Sequence, residues 1–443
     1  MLNILKMSYS NRIKVHQIEP VYNSSGSRAE WRLEPNKIYS TNVMLANIGA
    51  DQTTASQYNR LSGVAGIFDN VMLMDGNVEL QQTQLAGLWA GWNQSRKSNS
   101  SLKDLQPMIT GNARGIRFEG EDVTANGAAG RTFGKALRNY DMQSNNQLKT
   151  KNGKASIYAN ELLPILNALP FIDTSVFKNL KIVVEYNLSE NVVRENQNET
   201  LSTIRPLLVV EEVVDPDQVA AVMGKMGNVV FDNVETDRNI LEGITTITAN
   251  DASANQSVNF HVNSFNNKRV GKLLMWKQSN LASNVRAANA DYQNGGLDSM
   301  GLFKERTQIR VNGSNLFAKN GIDKANKRLA RLVDSWGSGS LQTFGNGIAY
   351  IAPENEPRNR YITAGNASIG FMDWFGCDLG GQEIQDLQIE FARTGVACVG
   401  AGNANIPAQT ALSKYNQQYN LIMMGLTQKA IVMGQGGYSV QYM

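Results

Sequence analysis

Two stretches decide the fold: Trp31-Arg-Leu-Glu-Pro-Asn-Lys-Ile-Tyr-Ser-Thr-Asn-Val-Met-Leu45 and Phe260-His-Val-Asn-Ser-Phe-Asn-Asn-Lys-Arg-Val-Gly-Lys-Leu-Leu274. Each opens on an aromatic residue, passes through turn residues and ends in an apolar run, and the two lie 229 residues apart at both ends. Further along, Val71-Met-Leu-Met-Asp-Gly-Asn77 is echoed by Ile309-Arg-Val-Asn-Gly-Ser-Asn315, with Gly76 and Gly313 separated by 237. In both copies a short strand runs into an Asp-Gly or Asn-Gly turn. A helical pattern follows and ends in tryptophan, Leu85 to Trp92 and Ala325 to Trp336, the tryptophans 244 apart. Gly153-Lys-Ala-Ser-Ile157 then matches Gly365-Asn-Ala-Ser-Ile369 at 212, and Leu180 to Glu185 matches Leu387 to Ala392 at 207. One such likeness arises by chance in a turn-rich chain. Five in the same order, all near half of 443 residues, read as a tandem duplication. The alternative is two unrelated β-domains that share strand and turn chemistry.

Composition agrees with a β-rich chain. Asparagine is the commonest residue, glycine follows with 39, and only 18% of residues are charged. Asn competes for backbone hydrogen bonds and Gly loses the most entropy on ordering, so both favour turns over helix interiors. Strands are expected at Ala29 to Leu33, Asn42 to Ile48, Asn70 to Met74, Lys181 to Tyr186 and Ile204 to Val214. In the second half they are expected at 244–248, 257–262, 272–276, 307–311, 348–351, 384–391, 421–424 and 438–442. A helix over Ala159 to Leu169 places Leu162, Leu163, Leu166 and Leu169 on one face, with Asn160 as its cap and Pro164 in its first turn. Asp323 is the expected cap of a second helix. Strands of this number close into a barrel or stack, because an open sheet leaves sticky edges. A Greek-key sandwich per half fits best.

The expected division is a first unit at 1–216, including an N-terminal arm of about residues 1–19, a linker at 217–237 and a second unit at 238–443. Pro216 ends the last strand of the first unit, and a short helix is expected at Gln218 to Met226. The arm carries Lys6, Arg12 and Lys14 with no acid before Glu19. It lacks a long apolar run and a small-residue cleavage site, which argues against secretion.

Catalytic readings find little to stand on. Net charge is +3, too balanced for a dedicated nucleic-acid binder. Histidine occurs twice, as His16 and His261, and cysteine twice, as Cys377 and Cys398, so no zinc-ligand spacing can be assembled. Buried free thiols are favoured over a disulfide between the two cysteines. The stretch Gly127 to Lys135 has the look of a phosphate loop, but Ala129 and Ala136 stand where that motif needs Gly and Ser/Thr. Glu211 and Glu212 are adjacent on a strand and point to opposite faces, so they cannot flank one glycosidic bond. No catalytic, cofactor-binding or metal-ligating residue is therefore expected. Six Trp, sixteen Met and fourteen Tyr, some clustered at Trp89, Trp92 and Gly370 to Phe375, suit core packing or subunit contact.

Three runs carry a family resemblance: Asn160 to Ile172 with Phe177 to Tyr186, Gln308 to Phe317 leading into Leu329 to Gly337, and the close Tyr419 to Gly425, Gln428 to Val432 and Gly437 to Tyr442. Their pattern and order resemble the double jelly-roll major capsid proteins of tailless icosahedral DNA viruses, of the polinton-like virus and virophage type. The resemblance implies two tandem jelly rolls and no catalysis. It implies a homotrimer of pseudo-hexagonal outline tiling an icosahedral shell, and a place in the virion. The implied partners are neighbouring copies and minor capsid or vertex proteins, with an internal membrane or packaged DNA beneath the shell and no small-molecule substrate. The first 70 residues match this pattern least well. Other classes are a minor capsid, vertex or spike protein and a carbohydrate-binding β-sandwich.

Overall fold

The computed structural model describes residues 12–24, 27–48, 56–58, 67–97, 121–125, 128–132, 155–186, 192–194, 206–241, 255–279, 304–318, 321–322, 325–336, 375–394, 419–435 and 437–443. The first half holds strands β1 (Ile13–Ile18), β2 (Tyr22–Ser24), β3 (Arg28–Arg32), β4 (Ile38–Tyr39), β5 (Met44–Ile48), β6 (Ser56–Tyr58), β7 (Phe68–Asp75) and β8 (Val78–Gln84). It continues with β9 (Glu121–Ala125), β10 (Ala128–Thr132), β11 (Ala155–Tyr158), β12 (Ile172–Asp173), β13 (Leu180–Tyr186), β14 (Val192–Arg194) and β15 (Leu207–Val213). The second half holds β16 (Val229–Leu241), β17 (Asn255–His261), β18 (Lys268–Ser279), β19 (Lys304–Val311) and β20 (Ser314–Asn315). Then come β21 (Phe375–Ile384), β22 (Leu387–Thr394), β23 (Tyr419–Gly434) and β24 (Gly437–Tyr442). The helices are α1 (Ala86–Lys97), α2 (Ala159–Leu162), α3 (Ile165–Ala168), α4 (Pro216–Val222) and α5 (Ala325–Trp336).

The strand orders repeat. One sheet of the first half contains the run β1-β15-β5-β11, and the other contains β3-β13-β7-β8. In the second half the corresponding runs are β16-β23-β18-β21 and β17-β22-β19-β20. Taking the eight principal strands of each half in chain order, both halves read first-eighth-third-sixth and second-seventh-fourth-fifth. All these pairings are antiparallel. That is the eight-stranded jelly roll, two Greek keys folded into a sandwich, and the chain contains it twice.

Register refines the duplication. Trp31 pairs with Ile182 and Phe260 with Ile389, so the offsets 229 and 207 hold across this strand pair. Gly76 and Gly313 occupy the same turn, but one residue apart. The backbone N–H of Gly76 donates to the Asn179 carbonyl at 3.0 Å, and Asn312, not Gly313, makes the matching bond to Asp386 at 2.8 Å. Gly76 (φ 59°) and Asn312 (φ 51°) both adopt the left-handed conformation that the turn requires. On the third strand a one-residue slip reverses the facing: Leu45 points into the first core, whereas Leu273 points into the second and Leu274 points outward. The expected match of 153–157 to 365–369 falls largely on residues that are not described. Residues 365–369 lie outside the described residues, and the strand standing where β11 stands is β21.

Several expected elements change. The stretch 384–391 is no single strand, because it turns at Gln385 and Asp386 between β21 and β22. The helix over 159–169 is two single turns, α2 and α3. Pro164 has no N–H to continue the ladder and instead opens α3. Tyr158, not Asn160, stands at the cap position of α2, with no side-chain cap bond. Leu162, Leu163, Leu166 and Leu169 are nonetheless all buried in the first core. Leu166 is 1% exposed, so Leu166→Ala should cost about 2–5 kcal/mol. Urea unfolding checks this, and an unchanged midpoint would contradict it.

At the expected linker of 217–237, the helix α4 starts at Pro216, capped by Asp215 accepting from the Asp217 backbone N–H at 3.1 Å, and β16 already begins at Val229. Of the N-terminal arm, residues 1–11 lie outside the described residues, and Ile13–Ile18 is not a tail but a strand paired with β15 along its length. The expected strands at 244–248 and 348–351, and the cap Asp323, also lie outside the described residues.

Candidate functional site: the seam between the two jelly rolls

The residues weighed for chemistry are used structurally. His16 Nε2 lies 2.5 Å from Glu212 Oε2, and Lys37 donates to the same oxygen at 3.1 Å, so this carboxylate ties β1 to its neighbours. Glu34, hydrogen-bonded by Lys37 and lying in its field, is held below the ordinary carboxylate value. His261 Nδ1 contacts Asp386 at 3.0 Å on the surface. Glu211 faces away from Glu212 and accepts from Asn42 at 3.1 Å. Burial pushes the Cys377 thiol well above its ordinary value, so it stays protonated. Cys398 lies outside the described residues. Residues 128–132 of the glycine-rich stretch form one strand of the β9-β10 hairpin. A phosphate loop would instead open a helix. Among the described residues no group of three or more His, Cys, Asp or Glu side chains could hold a metal, and no helix is long and apolar enough to cross a membrane.

What the fold does build is a seam. The second half's sheet β16-β23-β18-β21 alternates cleanly. Leu273, Met275, Leu421 and Met423 point into its own core, and Val234, Leu274, Ile422 and Met424 point out. The outward row is not exposed. Leu88, Trp89 and Trp92 of α1, from the first half, and Leu332 and Trp336 of α5 lie over it. The Trp336 ring meets Trp89 at 6.1 Å and Trp92 at 6.0 Å, both edge to face, a favoured aromatic geometry. Its Nε1–H donates to the Leu273 carbonyl at 3.2 Å. Gly376 in β21 makes room for α5: a Cβ there would fall 2.6 Å from Leu332 Cδ1 and from Trp336 Cδ1.

Polar contacts fix the register of the seam. Gln81 in β8 donates to the Asp232 carbonyl at 2.8 Å, while its Oε1 accepts from the Ile165 N–H at 2.8 Å. The end of the chain also returns to the first half. Ile431 belongs to the first core, the Tyr438 ring meets Phe177 edge to face at 5.0 Å, and its hydroxyl donates to Asp75 at 2.8 Å. A cleft of about 490 Å³ runs beside the seam, lined by Trp89, Pro164, Asn167, Phe231, Asp232 and Gln428 among others.

Sequence reasoning placed Trp89 and Trp92 in a core or a contact without seeing that they cross to the other half. The available signal was a tryptophan in the helix after the turn in both copies, although α1 runs on past Trp92 to Lys97, together with a glycine at 376 inside an apolar strand.

The fold defined by these strand orders is the double jelly roll. No protein-family model matches the sequence, and no curated protein is similar to it. Solved structures are. The Sputnik virophage particle structure aligns at TM-score 0.52 and 10% identity, over 98% of this chain and 88% of that one. The VP54 protein of PBCV-1, fitted into a reconstruction of Sputnik, aligns at 0.51 and 11% identity over 99% of both chains. The mavirus major capsid protein aligns at 0.50 and 8% identity, over 99% of this chain and 92% of that one. At these identities the likeness is one of fold, and it spans essentially the whole chain.

Proposed function

We propose that this chain is a major capsid protein, a structural subunit that forms homotrimers of pseudo-hexagonal outline tiling an icosahedral virus shell. One observation carries the reading: two complete jelly rolls of identical strand order, joined by a buried apolar seam. Three copies of such a chain present six similar sandwiches around an axis, a shape suited to hexagonal packing. Likeness to viral shell proteins over the full length supports a place in the virion. The division into units belongs to the same proposal, with residues up to 216 forming the first jelly roll and the second following the α4 segment. The role is structural and not enzymatic, without cofactor or catalytic residues. Minor capsid or vertex proteins, and an internal membrane or packaged DNA below the shell, are the further partners proposed. Native mass spectrometry at micromolar concentration should find a species of three chain masses. A stable monomer would overturn the reading.

A further inference from the structure

The cleft beside the seam is framed by both jelly rolls. Strands β16 and β23 of the second half form one side of it, and α1 and the α3 turn of the first half form the other. Gln81 fixes the two sides against each other. Its one carboxamide bonds the Asp232 carbonyl of β16 and the Ile165 N–H that opens α3, each at 2.8 Å. The cleft is therefore built into the fold, and its volume of about 490 Å³ is that of a small-molecule site. Asp232 and Gln428, which line it, are directly opposed across β16 and β23. Side chains so paired stand about 5 Å apart on one face of the sheet. Both are exposed, and neither side chain makes a hydrogen bond or ion pair among the described residues. Asn167, on the other side, is already held in place: its amide donates to the Asn160 carbonyl at 3.1 Å and accepts from the Asn160 amide at 3.0 Å.

The balance of donors and acceptors selects the ligand. Asp232 is the single charged residue lining the cleft, so no cation there would neutralise a phosphate, sulfate or carboxylate. The other polar lining residues, Asn93, Asn167 and Gln428, carry carboxamides. A carboxylate only accepts hydrogen bonds, whereas a carboxamide both donates and accepts. An ammonium ion, which only donates, would answer Asp232 and leave the amide N–H of Gln428 without an acceptor. Hydroxyl groups answer both, donating to Asp232 while accepting from Gln428. Val230, 48% exposed, and Leu426 add apolar surface for the C–H groups of a ring that carries such hydroxyls. We propose that this cleft binds a short neutral saccharide, with neighbouring hydroxyls held by the Asp232 and Gln428 pair. The site is independent of the shell-subunit reading, since a single chain contains all of it.

Saturation-transfer NMR on the full chain, with lactose, maltose, cellobiose and sucrose at millimolar concentration, reads the binding directly. At least one of these sugars should bind. Asp232→Ala should weaken that binding about tenfold or more, the usual effect of losing hydrogen bonds to a charged group. Val230→Trp, which fills the cleft from an exposed position, should abolish it, and Tyr22→Ala, exposed on β2, should leave it unchanged. Thermal melting of each variant accompanies the measurement. Should Asp232→Ala or Val230→Trp melt early, Gln428→Glu serves instead, because it removes the amide donor at nearly constant shape and should cause a comparable loss. Failure of every sugar to bind, or equal binding by the cleft variants, would overturn the proposal. So would binding of 1,5-diaminopentane in place of the sugars, which would mark a site for cations.

Discussion

Replacing Trp336 by alanine should lower the free energy of unfolding by about 3–5 kcal/mol, the usual range for a buried Trp in a packed cluster. The side chain is 3% exposed and touches both halves at once. It fills the space above Gly376, meets Trp89 and Trp92 edge to face, and hydrogen-bonds the Leu273 carbonyl. Truncation opens a cavity that α5 cannot close by sliding, because the same helix is held at Leu332 over the same glycine. It also leaves the outward row Val234, Leu274, Ile422 and Met424 partly uncovered. Trp336→Phe should lose less, since it keeps an aromatic edge for both tryptophans and gives up the N–H donor. Urea unfolding followed by intrinsic fluorescence and by circular dichroism reads both effects. The alanine variant should shift the midpoint strongly and separate the two probes, because the halves then unfold less as one unit. A midpoint within experimental error of the unaltered protein would mean that the tryptophans decorate the seam without holding it.

The part of the fold legible in the sequence was the part written in local pattern. Leu180–Tyr186 and Leu387–Thr394 are central strands in both sandwiches, rich in Ile, Val and Phe, and they align at a constant offset. The Asp-Gly and Asn-Gly turns were equally visible. Strands with a polar or uncovered face were not. In β1, Lys14, His16 and Gln17 give the look of a charged tail, yet Ile18 reaches the core and the whole strand pairs with β15. In β16, Asp232 and Asn233 fell within the expected linker at 217–237. Asn233 is in fact 1% exposed, bonded to Glu235 at 2.7 Å and to Thr427 at 3.4 Å. The leucine periodicity at 159–169 survived the break at Pro164, because tertiary burial and not helix continuity set it. The seam was least legible of all. Helix α1 covers a sheet well over a hundred residues away, and nothing in its own periodicity names that partner.

Glu235 offers the second large effect. Its carboxylate accepts from the Tyr442 hydroxyl at 2.5 Å, from Lys268 at 3.0 Å and from Asn233 at 2.7 Å. Lys268 and Lys429 also lie over the Tyr442 ring, at 5.1 and 4.7 Å from its centre. This cluster pins the C-terminal strand β24 to β16, and Lys429 reaches Glu79 of the first half at 3.9 Å. Burial pushes the Glu235 carboxyl up, but the hydrogen bonds from Tyr442 and Lys268 and the charges of Lys268 and Lys429 outweigh it and hold it below the ordinary value of 4.5. A depressed carboxylate contributes stability that is present above its unfolded value and lost as pH falls through the folded one. The unaltered protein should therefore lose stability below about pH 4.5, and Glu235→Ala should flatten that part of the profile. At neutral pH Glu235→Ala should cost about 3–5 kcal/mol, because it leaves two part-buried ammonium groups without their shared counter-charge. Lys429→Met should behave differently. Burial pushes this ammonium down, against the pull of Glu235 and Glu79. Its removal keeps the Lys268 and Tyr442 bonds to Glu235, and the change should stay within about 1 kcal/mol of neutral. Urea titrations of the two variants at pH 7 decide the matter. Equal losses would show that the cluster holds β24 by packing alone, with the charge pattern contributing little.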